Sequence, residues 1–292
     1  MPDVTANGIT LFYERSGSPD HPAVLLIPGL GAQYHYWADG IVDPIVAAGF
    51  QVIRIDNRDA GHSHRFEGVR VSVGRVVETL LAGGRPDVPY LLDDMADDVV
   101  GLLDALDIEA AHVVGASLGG MVAQVVAIRH PSRVLTLTSL MSTTGDPTVG
   151  QATPAMNESL FTAPPSEREA AIQATVDYSR IAWADYFDEE RARETAARNL
   201  DRGVYQQGTG RQLAALLASG DRTADLQALD VPTLVVHGEK DPLIDISGGV
   251  ATAQAVPGAA FHVLRGAGHD LPPELHGELT DLLIDHFRAT TA

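Results

Sequence analysis

A serine lies between two glycines at a point where the hydrophobic pattern of the chain changes from that of a strand to that of a helix. The pentapeptide Gly-Ala-Ser-Leu-Gly occupies 115–119, after the apolar run 111–114 and before the helix-like run 119–129. Such a turn holds its serine in a strained backbone conformation, and strand and helix pack too closely there for side chains at the glycine positions. We therefore predict a strand–turn–helix unit that exposes Ser117 as a nucleophile. The alternative is an ordinary turn with an incidental serine.

Strand-like and helix-like segments alternate through most of the chain. We predict strands at 9–15, 23–27, 50–56, 111–114, 134–140, 231–236 and 260–264. Outside the middle of the chain we predict helices at 37–48, 91–106, 119–129, 248–255 and 273–288. Short apolar runs are typical of strands buried on both faces. The alternation predicts an α/β fold with a mostly parallel sheet and helices on both faces.

The middle of the chain, residues 144–224, differs from the rest. Strand-like runs stop there, and the segment becomes helical, acidic and rich in alanine and arginine. Strand-like segments lie on both sides of it, which favours an insertion over a separate second domain. We predict a core domain formed by 1–143 and 225–292, with 144–224 inserted as a helical lid.

Composition limits the partners that the protein binds. A chain of 292 residues with 45% hydrophobic content suits one large domain with a substantial core. The 39 acidic and 20 basic residues give a formal net charge of −19, and such a surface repels phosphate backbones and anionic lipids. We therefore predict a small-molecule substrate, no nucleic-acid or membrane partner, and a monomer or homodimer.

The absence of cysteine narrows the chemistry further. It excludes disulfides, thiolate metal ligands and a cysteine nucleophile. Histidines and carboxylates do not occur at metal-binding spacing, so we expect no metal site. The first residues show no signal-peptide pattern, and no apolar run approaches the roughly 18 residues of a membrane span. We expect a cytoplasmic protein.

A serine hydroxyl needs a base that accepts its proton, and His269 is the candidate among eleven histidines. It lies in a glycine-rich run directly after the last predicted strand. In open α/β sheets, ligands and catalytic groups collect at the carboxyl ends of the strands. Histidines within predicted elements, such as His112 in a strand and His130 at a helix end, have structural explanations.

The base in turn needs an acid that fixes its tautomer, and Asp241 is the candidate. It follows the strand 231–236 by a few residues and precedes His269 by one strand–helix–strand unit. The chain order Ser, Asp, His is the order expected when the serine lies on such a turn. Glu239 and Asp146 are the competing carboxylates, the latter after the strand 134–140.

The developing negative charge of an acyl-transfer intermediate needs preorganised N–H donors, and the loss of one costs roughly 3–4 kcal/mol of barrier. One predicted donor is the backbone amide of Leu118, directly after the nucleophile. The other is the amide of Leu30, in the loop after the strand 23–27. Because both roles belong to the backbone, Leu30→Ala should matter little, whereas Leu30→Pro would delete a donor.

Several segments together resemble the α/β-hydrolase superfamily over essentially the whole chain outside the middle block. They are "LLIPGLGAQ" at 25–33, "VIRIDNRDAGHS" at 52–63, "HVVGASLGGMVAQ" at 112–124, "PTLVVHGEKDPLI" at 232–244 and "GAGHDLP" at 266–272. The form of 56–63 is most similar to small esterases of the aclacinomycin methylesterase group. The resemblance implies an eight-stranded sheet, a helical lid over the site and no cofactor. It also implies structural roles for Asp56, Arg58 and Gly61, beside the oxyanion loop. That loop carries Pro28-Gly29 where several relatives have His-Gly.

The sequence thus predicts a serine hydrolase that cleaves carboxylic esters, with short or medium acyl chains or methyl groups, through a Ser-His-Asp triad and an acyl-enzyme. Lactone, thioester, perhydrolase and carbon–carbon bond chemistry use the same triad and stay open, as does a non-catalytic ligand-binding protein. Specificity is expected from the lid and the oxyanion loop. The candidate pocket residues are Gly29, Tyr34, His35, Trp37, Met141, Met156, Phe161 and Trp183. For the lid aromatics, packing within the lid is the alternative role.

Overall fold

Eight strands form one sheet in the computed structural model, which describes residues 3–162 and 165–289 except for the side chains of residues 160 and 161. The strands are β1 (Asp3–Ala6), β2 (Ile9–Ser16), β3 (Ala23–Ile27), β4 (Gln51–Ile55), β5 (Ala111–Ala116), β6 (Val134–Leu140), β7 (Thr233–Gly238) and β8 (Ala260–Leu264). Their order in the sheet is β1-β2-β4-β3-β5-β6-β7-β8. β1 and β2 pair antiparallel with each other and β2 with β4, while the remaining pairs are parallel. The predicted mostly parallel, eight-stranded α/β sheet is confirmed.

Helices cover both faces of the sheet. They are α1 (Asp39–Ala47), α2 (Val73–Leu81), α3 (Leu92–Ala105), α4 (Leu118–Arg129), α5 (Pro154–Phe161), α6 (Arg168–Ala182), α7 (Glu189–Arg202), α8 (Gln206–Ser219), α9 (Thr223–Leu226), α10 (Ser247–Ala255) and α11 (His276–Arg288). Side chains alternate along a strand, so β3 sends Leu25 and Ile27 into the core with α3 and α4. Val24 and Leu26 pack on the opposite face with α1 and α11. This arrangement explains why β3 is buried along its whole length.

Five helices, α5 to α9, lie between β6 and β7 in the chain, and we call the first four, α5 to α8, the insertion helices. They hold a small apolar cluster of their own, formed by Met156, Val176, Ala182, Trp183 and Ala192. In the described residues, no helix is long and apolar enough to cross a membrane. The insertion helices reach the carboxyl edge of the sheet, because the amide of His269 after β8 donates to the carbonyl of Ala182 at 2.6 Å.

Candidate active site

Ser117 lies in the sharp turn between β5 and α4. Its backbone has φ 56° and ψ −122°, a conformation that is strained for a residue with a side chain. A Cβ atom on Gly115 would lie 2.0 Å from the carbonyl oxygen of Gly119, and one on Gly119 would lie 2.2 Å from that of Ile27. Close packing of strand and helix therefore requires both glycines, and it holds the half-exposed Ser117 at the tip of the turn.

Asp241 and His269 are joined by a hydrogen bond. Nδ1 of His269 lies 2.7 Å from Oδ2 of Asp241, whose side chain is fully buried. The other oxygen, Oδ1, accepts the amides of Leu243 and Ile244 at 2.9 Å each. Backbone donors thus fix the carboxylate, and the carboxylate fixes the ring. With Nδ1–H donated to Asp241, Nε2 is the nitrogen left to accept a proton.

The sheet order brings the serine to the same edge as this pair. Ser117 follows β5, Asp241 follows β7 and His269 follows β8, and β6 alone separates β5 from β7. All four strands are parallel, so their carboxyl ends meet at one edge. Among the described residues no hydrogen bond links the Ser117 hydroxyl to His269. Such contacts often tighten only when substrate binds.

A second histidine, His237, touches the same carboxylate. Its Nε2 lies 2.7 Å from the carbonyl oxygen of Ile244 and 3.5 Å from Oδ2 of Asp241. Burial lowers the pKa of His237, so the ring is neutral and Nε2–H is the donor. This contact was not predicted from the sequence. Its only signal was a histidine within the buried strand β7, four residues before Asp241.

The competing carboxylates make other contacts. Asp146 accepts the amide and hydroxyl of Thr148 in its own turn, at 2.8 and 2.7 Å. Oε2 of Glu239 accepts the amide of Gly266 at 2.8 Å and so links the loops after β7 and β8. Of the three carboxylates, Asp241 is the one that the fold brings to His269.

Residues 28–36 after β3, which we call the oxyanion loop after their predicted role, lie against the serine. A Cβ atom on Gly29 would lie 3.2 Å from Cβ of Ser117 and 3.7 Å from its hydroxyl oxygen. Within the described part of the chain, the amides of Leu30 and Leu118 donate no hydrogen bond. Both predicted donors therefore have no acceptor within that part of the chain, and their oxyanion role stays a prediction.

The insertion helix α7 holds the same loop through Asn199. The carbonyl oxygen of Asn199 accepts from Nε2 of Gln33 at 3.1 Å, and its side-chain oxygen lies 2.8 Å from Nε2 of His35. Burial lowers the pKa of His35, which keeps the ring neutral with Nε2–H as donor. His35, predicted as a pocket residue, is thus a contact between the oxyanion loop and α7.

Asp56 holds this loop in place through hydrogen bonds and an ion pair. Its fully buried carboxylate accepts the amides of Tyr34 at 2.8 Å and His62 at 2.9 Å, and it pairs with Arg202 of α7 at 2.5 Å. Gly61 has φ +52°, and a Cβ atom there would lie 2.1 Å from the carboxylate. These contacts agree with the structural roles that the resemblance implied for Asp56 and Gly61.

Two of the predicted pocket residues, Trp37 and Tyr34, differ in their surroundings. Trp37 is fully buried in the core beneath the sheet, with α1 and α11, so it does not line an open pocket. Tyr34 packs its ring 5.2 Å from that of Phe12 and lies under the guanidinium of Arg202. Trp37 therefore belongs to the core, whereas a pocket role for the half-buried Tyr34 stays a prediction.

Of the remaining pocket candidates, one lies directly after β6 and the others belong to the insertion segment. Met141 follows β6, is fully buried and has φ 46°. Met156 and Trp183 belong to the apolar cluster of the insertion helices, and the guanidinium of Arg191 stacks 4.0 Å from the centre of the Trp183 ring. The side chain of Phe161 lies outside the described part of the structure.

Asp270, directly after His269, was not predicted. Burial raises its pKa to about 6, against the opposing charge of Arg191, whose Nη1 lies 3.2 Å from its Oδ2. Burial also raises the pKa of Tyr36 and Tyr178, and the charges of Asp241 and Asp270 add to that effect.

In residues 3–162 and 165–289, no group of three or more histidines and carboxylates could hold a metal ion.

The chain is similar to known hydrolases over nearly its whole length. The family model described as alpha/beta hydrolase fold matches residues 22–274. The rhodomycin D methylesterase DauP of Streptomyces sp. (strain C5) is 28% identical over 311 residues, which cover 99% of this chain and 98% of that protein. The resemblance to small methylesterases is confirmed by this relative.

Two solved structures show the same fold. A mutant of the meta-cleavage product hydrolase CumD from Pseudomonas fluorescens IP01 has a TM-score of 0.80 at 22% identity, covering 99% of this chain and 98% of its own. The enol-lactonase from Burkholderia xenovorans LB400 has a TM-score of 0.75 at 24% identity, covering 98% of this chain and 100% of its own.

Proposed function

The chain belongs to the α/β-hydrolase fold family, and on that premise we propose that it is a carboxylic ester hydrolase with Ser117 as nucleophile. His269 is the general base and Asp241 the acid that orients it. The observation that carries the proposal is the 2.7 Å bond from His269 to a buried, doubly anchored Asp241, at the sheet edge where Ser117 is held in its strained turn. The similarity to a rhodomycin D methylesterase supports esters as substrates.

In the acylation step, Nε2 of His269 takes the proton of the Ser117 hydroxyl as its oxygen attacks the ester carbonyl carbon. The carbonyl oxygen becomes negative and accepts the amides of Leu30 and Leu118. Asp241 stabilises the imidazolium through Nδ1. When the tetrahedral intermediate collapses, the bond to the alcohol oxygen breaks, and the imidazolium gives its proton to the leaving alcohol.

In the deacylation step, a water molecule takes the place of the alcohol. His269 accepts a proton from the water, and the oxygen attacks the acyl carbon. The same two amides stabilise the second intermediate. The bond to Ser117 then breaks, the serine regains its proton from the imidazolium, and the carboxylic acid leaves.

We propose methyl esters and esters of short or medium acyl chains as the substrate class. Relatives also carry the names enol-lactonase and 2-hydroxymuconate semialdehyde hydrolase, so lactones and substrates cleaved at a carbon–carbon bond belong in the substrate panel. Faster turnover of either class than of every ester would replace the ester assignment while leaving the nucleophile unchanged.

Replacement of the nucleophile is the direct test. Ser117→Ala should lower kcat on p-nitrophenyl butyrate by at least about 10⁴-fold, because no other group in the proposal forms the acyl-enzyme. Ser142→Ala is the matched control. Ser142 follows β6 by two residues and is buried, unlike the half-exposed Ser117. Its hydroxyl has no hydrogen-bond partner in the described residues, so its loss should leave kcat unchanged.

A fluorophosphonate label followed by peptide mass spectrometry identifies the nucleophile independently of any substrate. The label is expected on Ser117 in the wild type and in Ser142→Ala, and absent from Ser117→Ala. Equal ester hydrolysis by the wild type and Ser117→Ala would overturn the proposal, as would labelling at another serine.

A further inference from the structure

The insertion helix α8 lies directly on the oxyanion loop. Gly31, the residue after Leu30, donates its amide to Oε1 of Gln212 at 2.8 Å. Gly31 has φ +64°, and a Cβ atom there would lie 2.7 Å from the hydroxyl of Thr209, also on α8. The loop and the helix are therefore in contact at the residue that follows the predicted oxyanion donor.

Gln212 binds a second loop with the other end of its amide. Its Nε2 donates to the carbonyl oxygen of Arg58 at 2.6 Å, and its side chain is fully buried. Arg58 itself is held in place by Asp98, through Nε at 2.6 Å and Nη2 at 2.7 Å. One side chain thus ties the oxyanion loop to an anchored segment of the core.

The position of the Gly31 amide limits that of the Leu30 amide. Peptide units are planar, so the two are separated by only the two soft torsions of Leu30. A hydrogen bond that fixes one unit restricts where the next N–H points. Oxyanion stabilisation depends on donors held about 3 Å from the oxyanion, and small displacements reduce it.

We propose that Gln212 is a positioning residue for the oxyanion hole: it holds the Leu30 amide in place through Gly31 and thereby couples the position of α8 to transition-state stabilisation. The inference rests on the proposed function, since it needs a reaction that develops an oxyanion. It assigns Gln212 no contact with substrate. Displacement of α8 from the core would release the loop and weaken the hole.

Gln212→Met tests the proposal, because methionine has a similar size and makes neither hydrogen bond. Gln124→Met is the matched control. Gln124 is another fully buried glutamine with two side-chain hydrogen bonds, to Ser139 and Arg222, but it does not touch the oxyanion loop. Both variants should lose similar thermal stability. Gln212→Asn keeps the amide but is one methylene too short to span both partners, and it serves if the methionine variant does not fold.

The expected result is a kcat for p-nitrophenyl butyrate that falls roughly 10- to 100-fold in Gln212→Met and in Gln212→Asn. KM should stay within about twofold, since the lost interaction acts only in the transition state. The rate of fluorophosphonate labelling of Ser117 should fall in parallel with kcat. Gln124→Met should keep kcat and the labelling rate within about twofold of the wild type.

Equal losses of kcat in the Gln212 and Gln124 variants would overturn the inference, because a general loss of stability would then explain both. A rise in KM at unchanged kcat would overturn it too. If Ser117→Ala retains activity, the proposed function itself fails. An inactive Ser117→Ala with a fully active Gln212→Met leaves that function intact and refutes the role of Gln212 alone.

Discussion

The contribution of Asp270 to folding stability should depend on pH. Burial raises its pKa to about 6, above its ordinary value, so between about pH 4 and pH 6 the unfolded chain releases this proton while the folded protein keeps it. The contribution of Asp270 to folding stability is therefore full below about pH 4, declines as pH rises to about 6 and then stays constant. Asp270→Asn does not titrate. The melting temperature of Asp270→Asn minus that of the wild type should rise from pH 4 to pH 6 and level off above.

Asp104→Asn is the control, since Asp104 is an exposed carboxylate. Its melting-temperature difference should show no comparable rise over that range. If the melting temperature of Asp270→Asn minus that of the wild type instead decreases as pH rises from 4 to 6, Arg191 stabilises the carboxylate more than burial destabilises it.

At the level of residues, the sequence predicted the local geometry where the chain itself limits it, as in the turn at Ser117. Ser117 was predicted as the nucleophile because two glycines and a change of hydrophobic period mark its turn. Asp241 was preferred to Asp146 because it precedes His269 by one strand–helix–strand unit. His237 and Gln212 were missed. Gln212 meets Gly31 from 181 positions away, and only the packed fold shows which loop a buried glutamine on a helix will touch.

The contact between the loop after β8 and the end of α6 gives a prediction for a pair of elements. A Cβ atom on Gly268 would lie 2.0 Å from the carbonyl oxygen of Ala182, the same oxygen that accepts the amide of His269. Gly268→Ala must therefore push α6 away from the histidine loop. We expect a loss of about 1–3 kcal/mol in unfolding free energy, the usual cost of overpacking, together with lower esterase activity.

Gly277→Ala is the comparison for that variant. Gly277 lies in α11, and no atom lies within 4 Å of the position that its Cβ would occupy. Alanine in a helix is favoured over glycine by roughly 1 kcal/mol, so this variant should be as stable as the wild type or more stable in urea denaturation. Equal stability of both alanine variants would show that α6 yields freely at the contact.

At the level of elements, the sequence predicted the central strands well because their pattern is set by burial on both faces. β3, β4 and β5 are buried along their whole length. β3 is a continuous apolar run, and the other two are mainly apolar, with Gln51 and Arg54 in β4 and His112 in β5. β1 and α2 were not predicted. β1 is a four-residue edge strand with one buried residue, and α2 buries only Val76. The short β1 leaves little hydrophobic pattern to read, whereas α2 has apolar residues at helical spacing, Val73, Val76, Val77, Leu80 and Leu81, that could have predicted it.

The whole molecule carries a formal net charge of −19, and this excess gives the last prediction. Exposed ion pairs such as Arg168–Asp201 and Arg180–Glu189 contribute little each and are screened by salt, which lowers stability slightly. Repulsion among the unpaired carboxylates opposes the compact state and is screened by the same ions, since the Debye length falls from about 10 Å at 0.1 M to about 3 Å at 1 M. The 20 basic residues cannot pair with all 39 acidic residues, so the repulsive effect dominates.

The melting temperature at pH 8 should therefore rise between 0.02 and about 0.5 M NaCl, and rise less at pH 5, where part of the carboxylate charge is neutralised. Sucrose, which strengthens folding without screening charge, should raise it equally at both pH values. A melting temperature that falls with NaCl at pH 8 would mean that attractive surface pairs, and not the net charge, dominate the electrostatics of the folded protein.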